Sequence, residues 1–225
     1  GVVSFSFDDA PHTACTTGRD VLEAHGCHGT WYVAGGLTDQ PEQGRLCHSQ
    51  ADLEALLARG HHLGCHTFSH HPVDRLSRAE MLAELERNAD FLQRLGLNAE
   101  ALHFSFPLGA FDLKSKELAS QRFITSRITG GGLQTGEVDL QALRSQALYS
   151  QSLSRAAVER LNRQTAERGG WLIYYSHDVE ADPSRWGCTP ERLDHAVRNA
   201  LASGCQVLSV RDALAHWQQA AASDR

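Results

Sequence analysis

The stretch VVSFSFDD, residues 2–9, decides the fold of this chain, because it is typical of a buried strand that ends in two carboxylates. Residues 2–7 are rich in β-branched and aromatic side chains and form a run short enough for a strand. Similar runs recur along the chain, over residues 29–33, 61–66, 101–106, 122–126, 172–177 and 206–209. The chain is therefore predicted to contain a series of short, buried strands.

Helix-like runs lie between these strands. Ser77 and Glu80 have the spacing of a capping box, which begins a helix that reaches residue 95. Thr189 followed by Pro190 begins another, which ends near residue 204. Further helices are predicted over residues 16–25, 50–59, 154–168 and 211–222. Repeated βα units predict parallel strands with helices outside them. We therefore expect an α/β fold over residues 1–225, a single-domain, closed or nearly closed (β/α) barrel, with an open doubly wound sheet as the alternative.

The composition excludes several classes of protein. With 225 residues, of which 41% are hydrophobic, the chain is large enough for one domain with a sizeable core. No apolar run approaches the roughly 20 residues that a membrane-spanning helix needs. The net charge of -6 and the lack of a basic stretch argue against a nucleic-acid partner. No sequence signal sets the oligomeric state. The chain begins inside a strand and without Met, so we expect a processed N-terminus that leaves the compartment open.

Six cysteines are present, and none of them forms a C-x-x-C pair. A domain of this size does not need disulfides to be stable. We therefore expect free thiols that pack as small hydrophobic groups, with one or two disulfides as the alternative.

The residues that can carry chemistry follow different predicted strands. Asp8 and Asp9, His66, Pro107 with Gly109, and His177 all lie at carboxyl ends of such strands. In (β/α) barrels this is the face on which active sites are built. The coincidence favours one shared site over separate structural roles.

Two pairs of residues have the donor types of a metal site. One Asp and two His can hold a divalent ion and leave positions open for water and substrate. Asp8 and Asp9 are adjacent, so at the end of a strand they point to opposite sides and can take different roles. His66 and His70 share a face if their segment turns helically. A turn or helix cap for the Asp pair and a surface position for the His pair are the alternatives.

Two further positions could complete a catalytic site. The Pro-Leu-Gly loop at residues 107–109 could direct the backbone N–H of Leu108 into an oxyanion pocket, or it could be a plain turn. His177 ends the apolar strand at residues 172–177 and has the side chain of a general acid near neutral pH. A core histidine is the alternative for that position.

Together these segments resemble the polysaccharide deacetylases, the family-4 carbohydrate esterases. Phe7-Asp8-Asp9 is similar to the T/S-F-D-D motif of the family, and His66-Thr67-Phe68-Ser69-His70 is similar to its H-S/T-x-x-H motif. The run at residues 172–177 resembles the apolar strand that ends in the family's catalytic histidine. The resemblance extends from near residue 1 to about residue 211, and both order and spacing agree.

The resemblance implies a distorted (β/α)7-type barrel with one divalent metal ion, most often zinc, with Co, Ni or Mn as other occupants. It implies Asp9, His66 and His70 as ligands, Asp8 as general base and His177 as general acid. The N–H of Leu108 would stabilise the oxyanion. The implied activity is removal of acetyl groups from a carbohydrate, on nitrogen with oxygen as the alternative, with a metal-bound water as nucleophile. The implied compartment is the cell envelope or the extracellular space, with the cytoplasm as the alternative.

The chain departs from the family pattern at Ser105, where the third motif, R-x-P-x-G, has an arginine beside the catalytic aspartate. We predict that Arg127, at the end of the next strand, supplies this positive charge. For the acidic residue that orients the catalytic histidine we predict Asp139, followed by Glu137. Trp186 follows His177 and could be a stacking platform for a sugar or part of the core.

Two other functions remain open at this stage. The missing arginine at Ser105 suits a non-catalytic carbohydrate-binding relative, although such a protein needs neither Asp8 nor His177. Two His and one carboxylate also describe the metal site of a non-haem iron oxygenase. Asp8, His177 and the barrel pattern argue against that class.

Overall fold

In the computed structural model, which describes residues 1–98 and 102–223, twelve strands and seven helices follow one another along the chain. The strands are β1 (Val2–Asp8), β2 (Thr30–Val33), β3 (Pro41–Glu42), β4 (Arg45–Leu46), β5 (His62–Cys65), β6 (His103–Ser105), β7 (Thr125–Ile128), β8 (Leu133–Gln134), β9 (Leu143–Arg144), β10 (Gln146–Ala147), β11 (Trp171–Ser176) and β12 (Gln206–Val207). The helices are α1 (Arg19–Glu23), α2 (Gln50–Ala58), α3 (Arg78–Arg94), α4 (Leu113–Ser120), α5 (Arg155–Arg168), α6 (Pro190–Ala202) and α7 (Val210–Ser223).

Eight of the strands form one continuous parallel ladder in the order β10-β11-β1-β2-β5-β6-β7-β9. The first and last members of this ladder are neighbours in the sequence. Residues 143–144 pair with β7, and residues 146–147 pair with β11. One extended segment, residues 143–147, therefore forms both edges of the sheet and nearly closes it into a barrel. The predicted distorted (β/α)7-type barrel is confirmed.

The strand β1 lies between β11 and β2 in the interior of this sheet, and all of its side chains are buried. Its aromatic side chains pack on neighbouring strands, with Phe5 stacked on Tyr174 at 5.4 Å and Phe7 stacked on Trp31 at 4.9 Å. A strand with both faces buried has a continuous apolar sequence, as expected of a parallel sheet covered by helices.

Several elements differ from the sequence prediction. The predicted strand at residues 206–209 pairs only with the start of β1 and lies off the barrel path. The segment at residues 143–147 completes the barrel path instead, and its two strands are too short and too polar to be recognised in the sequence. Helix α4 was missed because its sequence, LKSKELAS, has a weak apolar pattern, and Leu113 is 87% exposed. The predicted strand at residues 101–106 begins at Ala101, outside the described residues.

The cysteines agree with the expectation of free thiols, since all six are buried and unpaired. Within the described parts of the chain, no helix has the length and apolar character required to cross a membrane.

Candidate metal centre and active site

The loops at the carboxyl ends of the strands converge on a cavity of about 360 Å³. Its wall includes the predicted site residues Asp8, His66, His70, Leu108 and His177. A larger cavity of about 490 Å³ borders α3 and the end of α4, but its wall contains no histidine or carboxylate. Chemistry, not volume, therefore identifies the smaller cavity as the candidate site.

Asp9, His66 and His70 form a compact cluster of buried ligand groups. Their donor atoms all lie within 4.8 Å of one another. Asp9 Oδ1 is 3.0 Å from His70 Nε2 and 3.5 Å from His66 Nε2. Among the described residues this is the one group of three or more such side chains with this geometry.

A turn, and not a helix, brings the two histidines together. His66 follows β5, and both Thr67 and His70 have left-handed backbones, with φ of 60° and 56°. Glu84 on α3 holds this turn, because its carboxylate accepts hydrogen bonds from the N–H groups of Phe68 (3.2 Å) and Ser69 (2.6 Å). The helical turn on which the expected shared face of His66 and His70 depends is therefore absent, although the two side chains do lie close together.

The cluster has the properties of a cation site. Asp9 Oδ1 is buried and has no hydrogen-bond partner, and burial raises the pKa of Asp9 to about 7. Burial lowers the pKa of His66 to about 3 and also lowers that of His70. Both imidazoles are therefore neutral at pH 7 and retain a lone pair for a metal. A buried carboxylate without a donor needs a cation beside it, so these residues fit a divalent metal ion.

Asp8 lies beside the cluster and is paired with Arg127. Arg127 Nη2 donates to both carboxylate oxygens of Asp8 and to Ser105 Oγ. Burial alone would raise the pKa of Asp8, but the adjacent guanidinium holds it below its ordinary value. Asp8 is therefore ionised at neutral pH. The structure thus places a positive charge from β7 next to the serine where the family pattern has its arginine.

Arg127 is itself buried and held on several sides. Its guanidinium carbon lies 5.1 Å from the centre of the Tyr32 ring and 4.8 Å from that of Tyr175. Arg127 Nη1 donates to Ser145 Oγ at 2.6 Å. Cation–π contacts and a buried carboxylate stabilise the charge in a place where water cannot.

His177 faces the cluster from the end of β11. Its Nε2 is 3.8 Å from Asp9 Oδ2, and its Nδ1 donates to the carbonyl oxygen of Trp186 at 3.1 Å. A proton on Nδ1 fixes the ring so that Nε2 points into the cavity. The Trp186 side chain is half-buried and lines the cavity, so it lies in the wall of the site and not in the core.

The structure does not bring Asp139 to His177. Asp139 is exposed and forms an ion pair with Lys116 on α4, and Glu137 is also exposed. The backbone carbonyl of Trp186 occupies the position that we assigned to an acidic side chain. The prediction failed because a main-chain acceptor leaves no mark in the sequence.

Leu108 also lines the cavity. Its backbone is left-handed, with φ of 58° and ψ of 10°, inside a turn at Pro107–Gly109. Such a conformation is rare for leucine and costs about 1 kcal/mol, and strained backbone clusters at functional sites. Asp9 and His70 of the metal cluster, and Thr67 next to His66, have the same left-handed backbone.

Sequence reasoning missed several residues at the site. Gln43, Thr129, Tyr149 and Tyr175 line the same cavity, and Glu42 lies 3.5 Å from His70. Tyr149 follows the missed strand β10, which explains its omission. The glycine at position 44, between Glu42 and Arg45, is a turn residue that could have indicated the β3–β4 hairpin.

Comparisons with known proteins find both related sequences and solved structures with a similar fold. A chitin deacetylase from Arthroderma benhamiae is 23% identical over 124 residues, which are 55% of this chain and 32% of that protein. The structure of the chitin deacetylase from Colletotrichum lindemuthianum has a TM-score of 0.64 at 17% identity, covering 94% of this chain and 86% of that one. A family 4 carbohydrate esterase from Streptomyces lividans, in complex with acetate, also has a TM-score of 0.64, at 16% identity and with 93% and 91% covered.

The chain spans about a third of the length of the curated relatives it matches. Residues 1–125 match the family described as polysaccharide deacetylase, and this match includes β1, the histidine turn and Leu108. The chain therefore belongs to the polysaccharide deacetylase family.

Proposed function

We propose that this protein is a metal-dependent hydrolase that removes acetyl groups from a carbohydrate, with N-acetyl groups as its main substrates. The observation that carries the proposal is the buried Asp9–His66–His70 cluster in one cavity with the Asp8–Arg127 pair and His177. Two nitrogen ligands and one carboxylate suit zinc, and Co, Ni or Mn accept the same donors.

Asp9, His66 and His70 would hold the metal ion. When bound there, the ion supplies Lewis-acid polarisation of the acetyl carbonyl and of the attacking water. The Nδ1 atom of His66 donates to the carbonyl oxygen of Ser105 at 2.7 Å. This bond fixes the ring so that its Nε2 lone pair is the one offered to the ion.

Asp8 is the general base of the proposed reaction. It is ionised because Arg127 stabilises its negative charge. It can therefore accept the proton of the attacking water as that water adds to the acetyl carbon. The negative charge that develops on the carbonyl oxygen would be stabilised by the backbone N–H of Leu108.

His177 is the general acid. With Nδ1 bound to the Trp186 carbonyl, a second proton on the ring resides on Nε2, which faces the cavity. An amine leaves a tetrahedral intermediate only when protonated, whereas an alcohol leaves more easily. A positioned imidazolium is therefore required more strongly by an amide than by an ester, which favours N-acetyl substrates.

The aromatic wall of the cavity supports a carbohydrate substrate. Trp186 and Tyr149 pack edge to face with their ring centres 5.6 Å apart, and both line the cavity. Sugar rings stack on such surfaces while their hydroxyl groups remain available for hydrogen bonds. Arg127 also weakens the case for a non-catalytic relative, because a positive charge is present beside Asp8 despite the serine at position 105.

The test is acetate release from chitooligosaccharides, peptidoglycan fragments and acetylated xylan. The protein would be assayed after metal removal, after addition of Zn²⁺ or Co²⁺, and as an Asp8→Asn variant. We expect release that needs metal and is lost in the variant. Substrate binding without release from the loaded wild-type protein would instead support a carbohydrate-binding role. Consumption of O2 would support an oxygenase.

A further inference from the structure

A two-stranded hairpin forms part of the rim of the site. Strands β3 and β4 pair with Glu42 opposite Arg45, and the two residues between them, Gln43 and Gly44, both have positive φ, 49° and 80°. This is the backbone pattern of a two-residue type I′ hairpin turn. The local sequence therefore fixes the direction of the two side chains that flank the turn.

The hairpin is anchored by contacts with two other loops of the protein. Arg45 Nε lies 2.9 Å from Glu180 Oε1, and Arg45 Nη2 donates to the carbonyl oxygen of Asp182 at 2.9 Å. Both partners belong to the loop that follows His177. At the base of the hairpin, the N–H of His48 donates to the carbonyl oxygen of Ala10 at 3.0 Å. The hairpin thus joins the loop after β1 to the loop after β11.

From this anchored position Glu42 reaches a metal-ligating histidine. Glu42 Oε1 lies 3.5 Å from His70 Nδ1, on the side of the ring opposite to the Nε2 atom that faces Asp9. His66 has a corresponding partner in the carbonyl oxygen of Ser105. The Nδ1 atom of each imidazole therefore has an oxygen atom as its neighbour. The neighbour of His70 is a carboxylate, whereas the neighbour of His66 is a neutral carbonyl group.

Charge counting gives Glu42 a second effect. Asp8, Asp9 and Glu42 contribute three negative charges, and Arg127 contributes one positive charge. The net charge of -2 among these four side chains balances a divalent cation. A carboxylate behind a ligating histidine also makes the imidazole a stronger donor to the metal.

We propose that Glu42 is a positioning residue for the metal centre, which orients His70 and raises the affinity of the site for a divalent cation. This inference rests on the proposed function only in taking Asp9, His66 and His70 as a metal site. The side chain of Glu42 is 30% exposed at the end of a strand that pairs only with β4, so its replacement leaves the core unchanged.

The test is the affinity for Zn²⁺, measured on the full chain by competition with a chromophoric chelator. We expect Glu42→Ala to raise the dissociation constant about 10- to 100-fold, as loss of such partners does elsewhere. Glu42→Gln keeps an oxygen but loses the charge, and it should fall between Glu42→Ala and wild type. The matched control is Asp39→Asn, which removes a charge from the same loop at a left-handed position that Asn tolerates. We expect the control to bind like wild type.

A second readout separates this role from a general loss of structure. The d–d absorption of the Co²⁺-loaded protein reports ligand geometry, and we expect its bands to change in Glu42→Ala while the melting temperature of the metal-free protein does not. Equal Zn²⁺ affinity and an equal Co²⁺ spectrum in Glu42→Ala and wild type would overturn the role of Glu42 alone. Failure of the wild-type protein to bind metal would overturn the proposed function as well.

Discussion

Ser105 and Arg127 are direct cross-strand partners on β6 and β7, and the Arg127 guanidinium donates to both Ser105 Oγ and the carboxylate of Asp8. A positive charge therefore reaches the proposed base from the strand next to the one that carries the arginine in the family pattern, as the sequence predicts. Because parallel strands hold partner residues at the same height, an arginine on either strand can reach the same carboxylate.

Replacement of Arg127 should change the pH dependence of the reaction. In Arg127→Ala the burial of Asp8 is no longer offset, so the pKa of Asp8 rises. Activity needs the ionised carboxylate, and the acid limb of the kcat/KM profile should therefore move to higher pH. We expect kcat to fall about 100-fold at neutral pH. Arg127→Lys keeps the positive charge, so it should shift the acid limb of the kcat/KM profile less than Arg127→Ala does. Full activity with an unchanged profile in Arg127→Ala would contradict the assigned role.

The register of β6 and β7 predicts that the charge can be moved between strands. The double variant Ser105→Arg with Arg127→Ser exchanges the two side chains at one level of the sheet. We expect the kcat of the double variant to be at least about tenfold higher than that of Arg127→Ser alone, because the effects of substitutions at two residues in contact are not additive. The comparison is between kcat values of the single and double variants at one metal concentration. A double variant no better than the single one would show that the charge must come from β7.

Trp186 should affect substrate binding more than chemistry. Its ring lines the cavity, whereas it is its backbone carbonyl that holds His177. Trp186→Ala removes the ring and keeps the carbonyl, so we expect KM for an oligosaccharide to rise about tenfold with a small change in kcat. Trp186→Phe is the matched control and should retain most of the affinity. A large loss of kcat with unchanged KM would mean that the ring acts through His177.

His103 should make the fold sensitive to acid. It is 3% exposed, its Nε2 has no hydrogen-bond partner, and burial lowers its pKa from 6.5 to about 4. Between pH 6.5 and 4 the unfolded chain binds a proton that the native state does not, so stability falls as pH falls through this window. The loss contributed by His103 should be on the order of 2 kcal/mol at pH 4.5.

The measurement is the free energy of unfolding in urea at pH 7 and pH 4.5, for wild type and for His103→Asn. Asn can keep the hydrogen bond to Thr125 that His103 Nδ1 makes at 2.8 Å, but it does not titrate. We expect a smaller loss between the two pH values in the variant. Since the metal ligands titrate equally in both proteins, the difference reports on His103. If wild type and His103→Asn lost the same free energy of unfolding between pH 7 and pH 4.5, protonation of His103 would not destabilise the native state.

The sequence predicted the parts of the site that depend on strand ends. Asp8, Asp9, His66 and His177 are found on one face because parallel strands deliver their carboxyl ends there, and this rule needs no knowledge of loops. Arg127 could be predicted by the same rule, since it lies near the end of the strand next to Ser105.

The remaining parts depend on loops and main-chain atoms. Glu42 is brought to His70 by a hairpin of two-residue strands, and the partner of His177 is a carbonyl group that any residue could supply. The histidine turn depends on Glu84, which is 14 positions beyond His70 and on another element. Such contacts are set by tertiary packing and have no local pattern from which to predict them.

The segment at residues 143–147 connects the proposed active site to the edges of the sheet. An open sheet presents unpaired N–H and C=O groups at its edges, which can pair with other chains and begin aggregation. Here one segment covers both edges, and Ser145 at its centre receives a hydrogen bond from Arg127. When this segment detaches from β7 and β11, the Arg127 guanidinium loses its hydrogen bond to Ser145, and both of these strands are exposed as sheet edges. Molecules opened at this segment should therefore be both less active in the proposed reaction and more prone to aggregate, so that removing aggregates should raise the proposed activity per molecule.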